Sequence, residues 1–321
     1  MERKRFFVGL ITCLALLGLS MTGAMAENTR LSIGTAGTGG GLYPYGGAIA
    51  NVVSKYVPDL SVTVESTGGS VEDYKLLDKK KIEMATVSYD VTYHAFFGYE
   101  KSKHFDHKID VRALFNMYTQ PVHLVTLAGS DIKTIEDIKG KRIGVGSPGS
   151  GTEVKSRAIL KALGISYDDI KPEFLSFAEA TEALQDKTIS AEFIGSPIPN
   201  SSITSLSMTH KIRLVPFSKK ESDAVVSAYP YLVKATIPGG SYKGVDQDTD
   251  TVAAKTIFVC RPDIPEDVVY KFVKAVFEHK DELNAIHPSL RETTLENATP
   301  TLIPVHPGAI KYYKEKNAYH E

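Results

Sequence analysis

The sequence predicts an α/β protein made of two similar units, each with a parallel sheet covered by helices on both faces. Strand-like and helix-like segments alternate along the chain, and each unit contains a glycine-rich turn between a strand and a helix. This alternation is the order that places strands in parallel with helices crossing over the sheet. The length of 321 residues accommodates two units at the usual ~100–200 residues per domain.

The first unit contains the first four predicted strands. Strands are expected at residues 30–35, 60–66, 83–87 and 111–117, and helices at 42–57 and 70–80. Val71, Tyr74 and Leu77 recur at the spacing of one apolar helix face.

The second unit repeats this order. Its strands are expected at residues 122–127, 142–145, 173–175, 191–194, 211–215 and 251–259. Helical segments are expected at residues 135–138, 152–163, 178–186, 201–209, 265–278, 281–286 and 307–316. Pro265 followed by Glu266 and Asp267 is typical of a helix N-terminus. Residues 216–250, rich in Tyr, Gly, Pro and Asp, are predicted to be less regular.

The first 26 residues have the order of a secretory signal peptide. A basic head, Arg3–Arg5, precedes the apolar run Phe6–Leu19, and Ala24-Met25-Ala26 supplies a small-residue cleavage site. The apolar run is shorter than the ~20 residues of a membrane-spanning helix. We therefore expect cleavage after Ala26 and a periplasmic protein.

Charge and cysteine content narrow the possible functions further. The full chain carries a net charge of −1, and removal of Glu2, Arg3, Lys4 and Arg5 leaves about −3. This charge gives no indication of nucleic-acid binding, and no polybasic segment indicates membrane binding. Cleavage would leave a single cysteine, Cys260, expected as a buried, unreactive thiol at the end of a strand.

Two glycine-rich loops carry the main functional signal. Loop one is residues 34–44, GTAGTGGGLYP, and loop two is residues 146–153, GSPGSGTE. Each follows a strand and begins a helix. Glycines allow backbone amides to approach a ligand, and the first turn of a helix presents unpaired N–H groups with a partial positive charge. Such loops bind anions without a basic side chain, although each loop alone is also compatible with an ordinary turn and N-cap.

Nucleotide-binding, catalytic and metal-binding alternatives lack essential residues. Loop two has P-loop spacing, but Thr152 stands where the phosphate-binding lysine belongs. Ser150 lies between glycines without the full spacing of a hydrolase elbow, and no histidine is placed to act as its base. His104 and His107 are expected in a solvated loop, not at a metal. We therefore predict no catalytic residues, no metal and no cofactor.

At these loops the sequence resembles the TAXI family, the periplasmic binding subunits of one branch of TRAP transporters. The resemblance rests on the signal peptide and on five segments: residues 33–44, 66–70, 138–146, 147–153 and 237–242, with 251–253. It spans essentially the whole mature chain, and loop one and residues 140–153 are specific when found together in this order.

The resemblance implies a two-lobed periplasmic-binding-protein fold of type II, with the ligand in the interlobe cleft and two crossing strands at the hinge. It implies lobe I from residues 27–119 and 249–321, and lobe II from residues 120–248. It further implies a small organic anion as ligand, such as glutamate, 2-oxoglutarate or another dicarboxylate, delivered to a TRAP-type membrane permease. We expect a monomer that closes around its ligand and performs no catalysis.

The ligand-binding residues expected from the loops and the resemblance are Thr38, Gly39, Gly40, Tyr43, Thr67, Gly68, Ser88, Tyr89, Ser147, Ser150, Gly151, Thr152, Gly195 and Ser196. Residues 194–199 depart from the family's more glycine-rich turn, which puts the contact of Gly195 and Ser196 with ligand in doubt. Tyr118 and His123 complete the expected ligand-binding set. Tyr43, Tyr89 and Tyr118 are expected to pack on the carbon chain of the ligand and are equally compatible with core positions, and His123 either faces the cleft or lies within the sheet.

Several alternatives remain open on the sequence. They are an ABC-type oxyanion-binding protein, a secreted α/β enzyme and a ligand-sensing domain that uses the same fold. The identity of the ligand is open as well. Arg112 and Arg157 are the nearest candidates for a carboxylate clamp, although each is also compatible with a structural or solvated position.

Overall fold

The computed structural model describes residues 28–98, 104–299 and 301–319. The expected signal peptide lies outside the described residues. Within these ranges ten strands form one curled sheet. They are β1 (Thr29–Gly34), β2 (Leu60–Glu65), β3 (Met84–Ser88), β4 (Arg112–Leu127), β5 (Arg142–Gly144), β6 (Lys171–Glu173), β7 (Ala191–Gly195), β8 (Ile212–Leu214), β9 (Leu232–Ile237) and β10 (Thr249–Cys260).

Eleven α-helices lie among the same residues. They are α1 (Leu42–Tyr56), α2 (Ser70–Asp78), α3 (Tyr89–Phe97), α4 (Gly151–Ala162), α5 (Phe177–Gln185), α6 (Ser201–Thr209), α7 (Lys219–Ala228), α8 (Glu266–Glu278), α9 (Lys280–Asn284), α10 (Leu295–Ala298) and α11 (Pro307–Glu315). Short 3-10 helices occupy Ile135–Ile138 and Pro288–Glu292.

The sheet has a parallel region at each end and an antiparallel centre. The strand order is β2-β1-β3-β10-β4-β7-β5-β6, with β8 beside β4 and β9 beside β10. The groups β2-β1-β3 and β7-β5-β6 are parallel, whereas β10 and β4 pair antiparallel with each other and with their neighbours. We call the layer around β1–β3 lobe I and the layer around β5–β7 lobe II. The α/β prediction is confirmed.

Strands β4 and β10 run through both lobes. β4 is a single strand of 16 residues, although the sequence predicts two strands separated near Pro121. Pro121 of β4 pairs with Ala253 of β10. The register of this strand pair shifts between Lys255 and Ile257. At that shift the hydroxyl of Thr256 donates to the carbonyl of Tyr118 over 2.8 Å. The bulge therefore lies between the two lobes.

Each lobe has a hydrophobic core on both faces of its sheet. In β10, Phe258 packs in a cluster with α1 and α8, whereas the neighbouring Ile257 packs in a different cluster with α2 and α3. In β4, Leu124 and Val125 divide in the same way between the two cores of lobe II. Alternate residues of a strand point to opposite faces, so helices cover both faces of each sheet, as the alternating sequence predicts.

Several further elements differ from the sequence prediction, among them α3, α7 and β9. α3 was not predicted because its sequence YDVTYHAFF is rich in β-branched and aromatic residues, which favour strands over helices. α7 and β9 lie in the segment predicted to be irregular. A capping box between Ser218 and Glu221 begins α7, and β9 pairs antiparallel with the first half of β10. Residues Thr249–Ala254 pair with β9. The boundary between lobe II and the second part of lobe I, after residue 248, stays a prediction.

Cys260 ends β10 and is fully buried. Burial raises the pKa of its thiol, which keeps it in the unreactive thiol form at neutral pH. Among the described helices none is both long and apolar enough to cross a bilayer.

Candidate ligand-binding site

A cavity of about 250 Å³ lies between the two lobes. Its walls come from loop one, Ser66 and residues 68–70 of lobe I, from loop two and residues 176–178 of lobe II, and from Ser88, Gln120, Lys155 and Gly195. Loop one and loop two therefore face each other across the cleft, although more than 100 residues separate them in the sequence. Both follow the carboxyl ends of parallel strands, where ligands bind in open α/β sheets.

The N-termini of five helices meet at this cavity. Its lining contains the first residue of α1, α2, α4 and α5 and the N-cap residue of α3: Leu42, Ser70, Gly151, Phe177 and Ser88. Each helix N-terminus carries a partial positive charge from its amide dipoles. No carboxylate side chain lies among the lining residues of the described cavity, and Lys155 is the single charged one. The lining residues therefore offer the positive ends of helix dipoles and one basic side chain to a ligand.

Loop one presents its backbone closely to lobe II. A Cβ on Gly40 would lie 3.3 Å from the ring of Phe177, and one on Gly39 would lie 3.2 Å from Oγ of Ser202. The N-cap residue Gly41 provides no side-chain cap for α1. The first-turn amides of α1, beside the cavity, thus lack a side-chain acceptor.

Loop two is shaped by two glycines in the left-handed region. Gly146 has φ 99° and Gly149 has φ 78°, conformations that other residues adopt only with strain. The hydroxyl of Ser150 accepts from the amide of Glu153 over 3.1 Å and donates to the carbonyl of Ser147 over 2.8 Å. It therefore serves as the N-cap of α4. Thr152, two residues further on, lines the cavity.

Lys155 is the functional candidate that the sequence prediction missed. It lies three residues after Thr152 and four after Gly151, on the face of α4 that lines the cavity. Its Nζ atom is 2.9 Å from Oγ of Ser88 and 3.4 Å from Oδ1 of Asp90, both in lobe I. Burial lowers the pKa of Lys155, and Asp90 opposes that shift.

The lobes are in contact on both sides of the cavity. The amide of Val71 donates to the carbonyl of Gly149 over 3.0 Å, and Nδ2 of Asn200 donates to the carbonyl of Gly39 over 3.3 Å. These bonds join lobe I to lobe II, so the structure represents a closed arrangement.

The structure brings together most of the residues expected at the site. The following line the cavity: Thr38, Gly39, Gly40, Gly68, Ser88, Ser147, Ser150, Gly151, Thr152 and Gly195. Tyr43, Thr67, Tyr89, Tyr118, His123 and Ser196 are not among the lining residues. Ser66, Gly69, Gln120, Ser176 and Phe177 line it without having been expected.

Thr67, Tyr118 and Tyr89 have structural contacts outside the cavity. The Thr67 hydroxyl donates to Oδ1 of Asp73 over 2.8 Å, and it accepts from the amide of Gly69. Tyr118 is buried, and the centres of the Tyr118 and Tyr45 rings lie 4.7 Å apart in an edge-to-face arrangement. The Tyr89 hydroxyl donates to the side chain of Asn116, and Tyr43 is half-buried on α1.

His123 lies within the sheet. Nδ1 is 3.1 Å from the carbonyl oxygen of Ile194, and Nε2 is 3.0 Å from the hydroxyl of Tyr242. Burial lowers the pKa of His123 to about 4, so it is neutral at pH 7. The Tyr242 hydroxyl in turn accepts from the amide of Asn200, and the Asn200 side chain donates to Oγ of Ser196. His123 and Ser196 thus support the turn that contacts loop one.

The two arginines considered as clamps have other partners. Arg112 pairs with Asp110. Arg157 pairs with Glu153 over 2.6 Å, and its guanidinium carbon lies 4.1 Å from the centre of the Tyr167 ring. Neither arginine lines the cavity.

The histidines His104 and His107 also have carboxylate neighbours. His107 contacts Asp78 and Asp106, and Nε2 of His104 is 3.8 Å from Glu153. In the described part of the chain, no group of three or more His, Cys, Asp or Glu side chains is arranged to hold a metal ion.

Comparison with known proteins identifies both a family and a fold. The sequence model of the NMT1-like family matches residues 33–316. A structure from Bordetella bronchiseptica RB50 has a TM-score of 0.53 at 15% identity, covering 92% of this chain and 90% of that chain.

Two further solved structures are similar. One, described for glutathione import through GshT and the cystine ABC importer TcyBC of Streptococcus mutans, has a TM-score of 0.51 at 14% identity, over 85% of this chain and 98% of that chain. A putative L-cystine ABC transporter from Listeria monocytogenes has a TM-score of 0.50 at 15% identity, over 82% of this chain and 96% of that chain. The chain has the type II fold of periplasmic binding proteins.

Proposed function

The chain belongs to the NMT1-like family, and we propose that it is a periplasmic solute-binding protein that captures a small organic anion between its lobes. The convergence of five helix N-termini and Lys155 on a cavity without a lining carboxylate carries this proposal. Helix N-termini bind anions through their unpaired amides. A charged ammonium adds a charge-assisted donor that is stronger than a neutral one.

The size and polarity of the cavity favour a small ligand. Its volume of about 250 Å³ is below the ~300–1,000 Å³ of pockets that enclose drug-sized molecules. A carboxylate such as glutamate or 2-oxoglutarate, or another dicarboxylate, fits this description. Phe177 and Leu42 line the cavity and offer apolar surface to the carbon chain of such a ligand.

The proposed mechanism is closure of the lobes around the ligand. Loop one and loop two belong to different lobes, so an open form would leave each loop with only its own donors. A ligand held by both loops stabilises the closed form by contacts available only there. The bulged strands β4 and β10 are the proposed hinge.

We also propose that the protein acts as a monomer and delivers its ligand to a TRAP-type membrane permease. This part of the proposal rests on the resemblance of loops one and two to the TAXI family. An ABC-type oxyanion-binding protein is the alternative within the same fold, because backbone amides and hydroxyls can donate hydrogen bonds to a sulfonate as well as to a carboxylate. The two similar structures described for cystine import belong to ABC systems.

We propose binding without turnover. A lysine that activates a serine must accept its proton. In the cavity Nζ of Lys155 instead donates to Oγ of Ser88, and the Ser88 hydroxyl donates to Asp90.

The test is a thermal-shift screen of the chain without residues 1–26, followed by calorimetry. The panel contains L-glutamate, 2-oxoglutarate, succinate, methanesulfonate, L-cystine and, as a cation, putrescine. We expect at least one anion to raise Tm and to be recovered unchanged. If no anion in the panel raised Tm, or if the stabilising compound were consumed, the proposal would be wrong.

A further inference from the structure

Lys155 is held at the cavity by contacts from both lobes. It belongs to α4 of lobe II, whereas its partners Ser88 and Asp90 end β3 and begin α3 in lobe I. Each of the three residues has a side chain no more than 1% exposed. The ion pair therefore forms only when the lobes are together.

Two glycines make room for the head of this lysine. A Cβ on Gly195 would lie 2.7 Å from Cε of Lys155, and one on Gly151 would lie 3.4 Å from Nζ. Both glycines line the cavity. The ammonium group is thus placed between two pieces of backbone that carry no side chain, and side chains at these positions would crowd it.

The ammonium group has more donors than protein acceptors. Lys155 offers three N–H donors. The acceptors within hydrogen-bond distance, among the residues that the structure describes, are Oγ of Ser88 and Oδ1 of Asp90. The second oxygen of Asp90 is buried without a hydrogen-bond partner in the same part of the chain. One donor of Lys155 therefore remains for a group inside the cavity.

We propose that Lys155 binds the anionic group of the solute through this third donor, while Ser88 and Asp90 position it from lobe I. This assignment rests on the proposed function and extends it. It predicts that an anionic solute stabilises the closed form through its bond to Lys155. Because one N–H donor of Lys155 is left over, the site takes a single anionic group at this point of the wall, such as one carboxylate.

The test uses four variants and calorimetry with the strongest wild-type binder among L-glutamate, 2-oxoglutarate, succinate and methanesulfonate. Lys155→Met removes the donor, Asp90→Asn removes the counter-charge, and the double variant removes both without leaving a buried unpaired charge. Lys161→Met is the matched control, since Lys161 is exposed near the C-terminal end of the same helix. Circular dichroism melting identifies the folded variants.

We expect Lys155→Met and the double variant to bind about 30-fold more weakly or worse, the size of a lost hydrogen bond to a charged group. Asp90→Asn should bind the anion about as well as the wild type or up to about tenfold more tightly, because it removes a nearby negative charge. Lys161→Met should bind as the wild type does.

Two results would overturn the assignment and leave the proposed function intact. One is wild-type affinity in the folded double variant. The other is a loss in Asp90→Asn as large as that in Lys155→Met, which would mean that the ion pair matters for lobe contact and not for the anion. Failure of the wild type to bind any of the four probes would instead overturn the proposed function, and this assignment with it.

Discussion

Asn200 of lobe II donates from its Nδ2 atom to the carbonyl oxygen of Gly39 in loop one, over 3.3 Å. The same side chain is the N-cap of α6, because its Oδ1 atom accepts from the amide of Ile203 over 3.1 Å. A single residue therefore begins a helix in one lobe and fastens the ligand loop of the other.

These two roles of Asn200 can be separated by substitution. Asn200→Asp keeps a good N-cap acceptor but places a carboxylate opposite the carbonyl of Gly39. We expect the affinity for the best anionic probe to fall about tenfold, the effect of one lost hydrogen bond. Small-angle scattering with the probe present should show a larger radius of gyration than for the wild type. An unchanged affinity would mean that this bond does not contribute to closure.

The hydroxyls of loop two should differ in what they stabilise. Thr152→Val removes a hydroxyl that lines the cavity and should weaken anion binding about tenfold, with a small change in Tm. Ser150→Ala removes the cap of α4, which costs about 1 kcal/mol of stability, and should mainly lower Tm. Calorimetry and melting curves on both variants check this. The reverse pattern would contradict the geometry of loop two.

Gly41 provides a test of closure through size alone. A Cβ at Gly41 would lie 2.7 Å from Cγ of Pro197 in lobe II, so Gly41→Ala should hold the lobes apart and weaken binding about tenfold or more. Gly47 on the same helix has no atom within 4 Å of an added Cβ. Gly47→Ala is therefore the control and should raise stability by about 1 kcal/mol, with unchanged affinity. Equal affinities of the two variants would exclude a closure clash at Gly41.

Glu192 should make stability depend on pH. Its carboxyl is fully buried beside Thr181, and burial raises its pKa to about 8. The folded form holds this proton more tightly than the unfolded form, so its stabilising contribution is present in acid and is lost as pH rises toward 8.

Glu192→Gln tests this because an amide keeps the acceptor for Thr181 and cannot ionise. We expect the variant and the wild type to have similar Tm at pH 5. Above that the advantage of the variant should grow by up to about 1.4 kcal/mol per pH unit until pH 8. Denaturant unfolding at pH 5, 6, 7, 8 and 9 measures the difference. A difference that is constant with pH would show that Glu192 does not titrate in this range.

The sequence allows the prediction of the parts of the site that depend on backbone geometry. Gly39 and Gly151 follow strands and begin helices, and parallel strands bring such turns to one edge of a sheet. This rule predicts that loop one and loop two face each other across the cleft. The single long strand β4 could not be predicted. Proline has no N–H to donate to a neighbouring strand, so Pro121 fits within a strand only where the sheet needs no such bond.

Lys155 and His123 show why side chains were harder to predict. Lys155 lies within α4, where a lysine is usually solvated, and its burial depends on Ser88 and Asp90 from the other lobe. His123 lies among strand-like residues in the sequence. Its position within the sheet depends on its contacts with Ile194 and Tyr242. Both outcomes depend on residues that are distant in sequence.

The place of β10 has a consequence for the order in which the protein can be assembled. β10 lies between β3 and β4 in the sheet, yet the ribosome makes it after all of β5–β9. Until about residue 260 has been synthesised, lobe I lacks its central strand, and the facing edges of β3 and β4 remain unpaired. Unpaired strand edges are prone to wrong association. Any intermediate that folds before β10 has been made therefore exposes these two edges, and a fragment ending before Thr249 would lack the strand that joins β3 to β4.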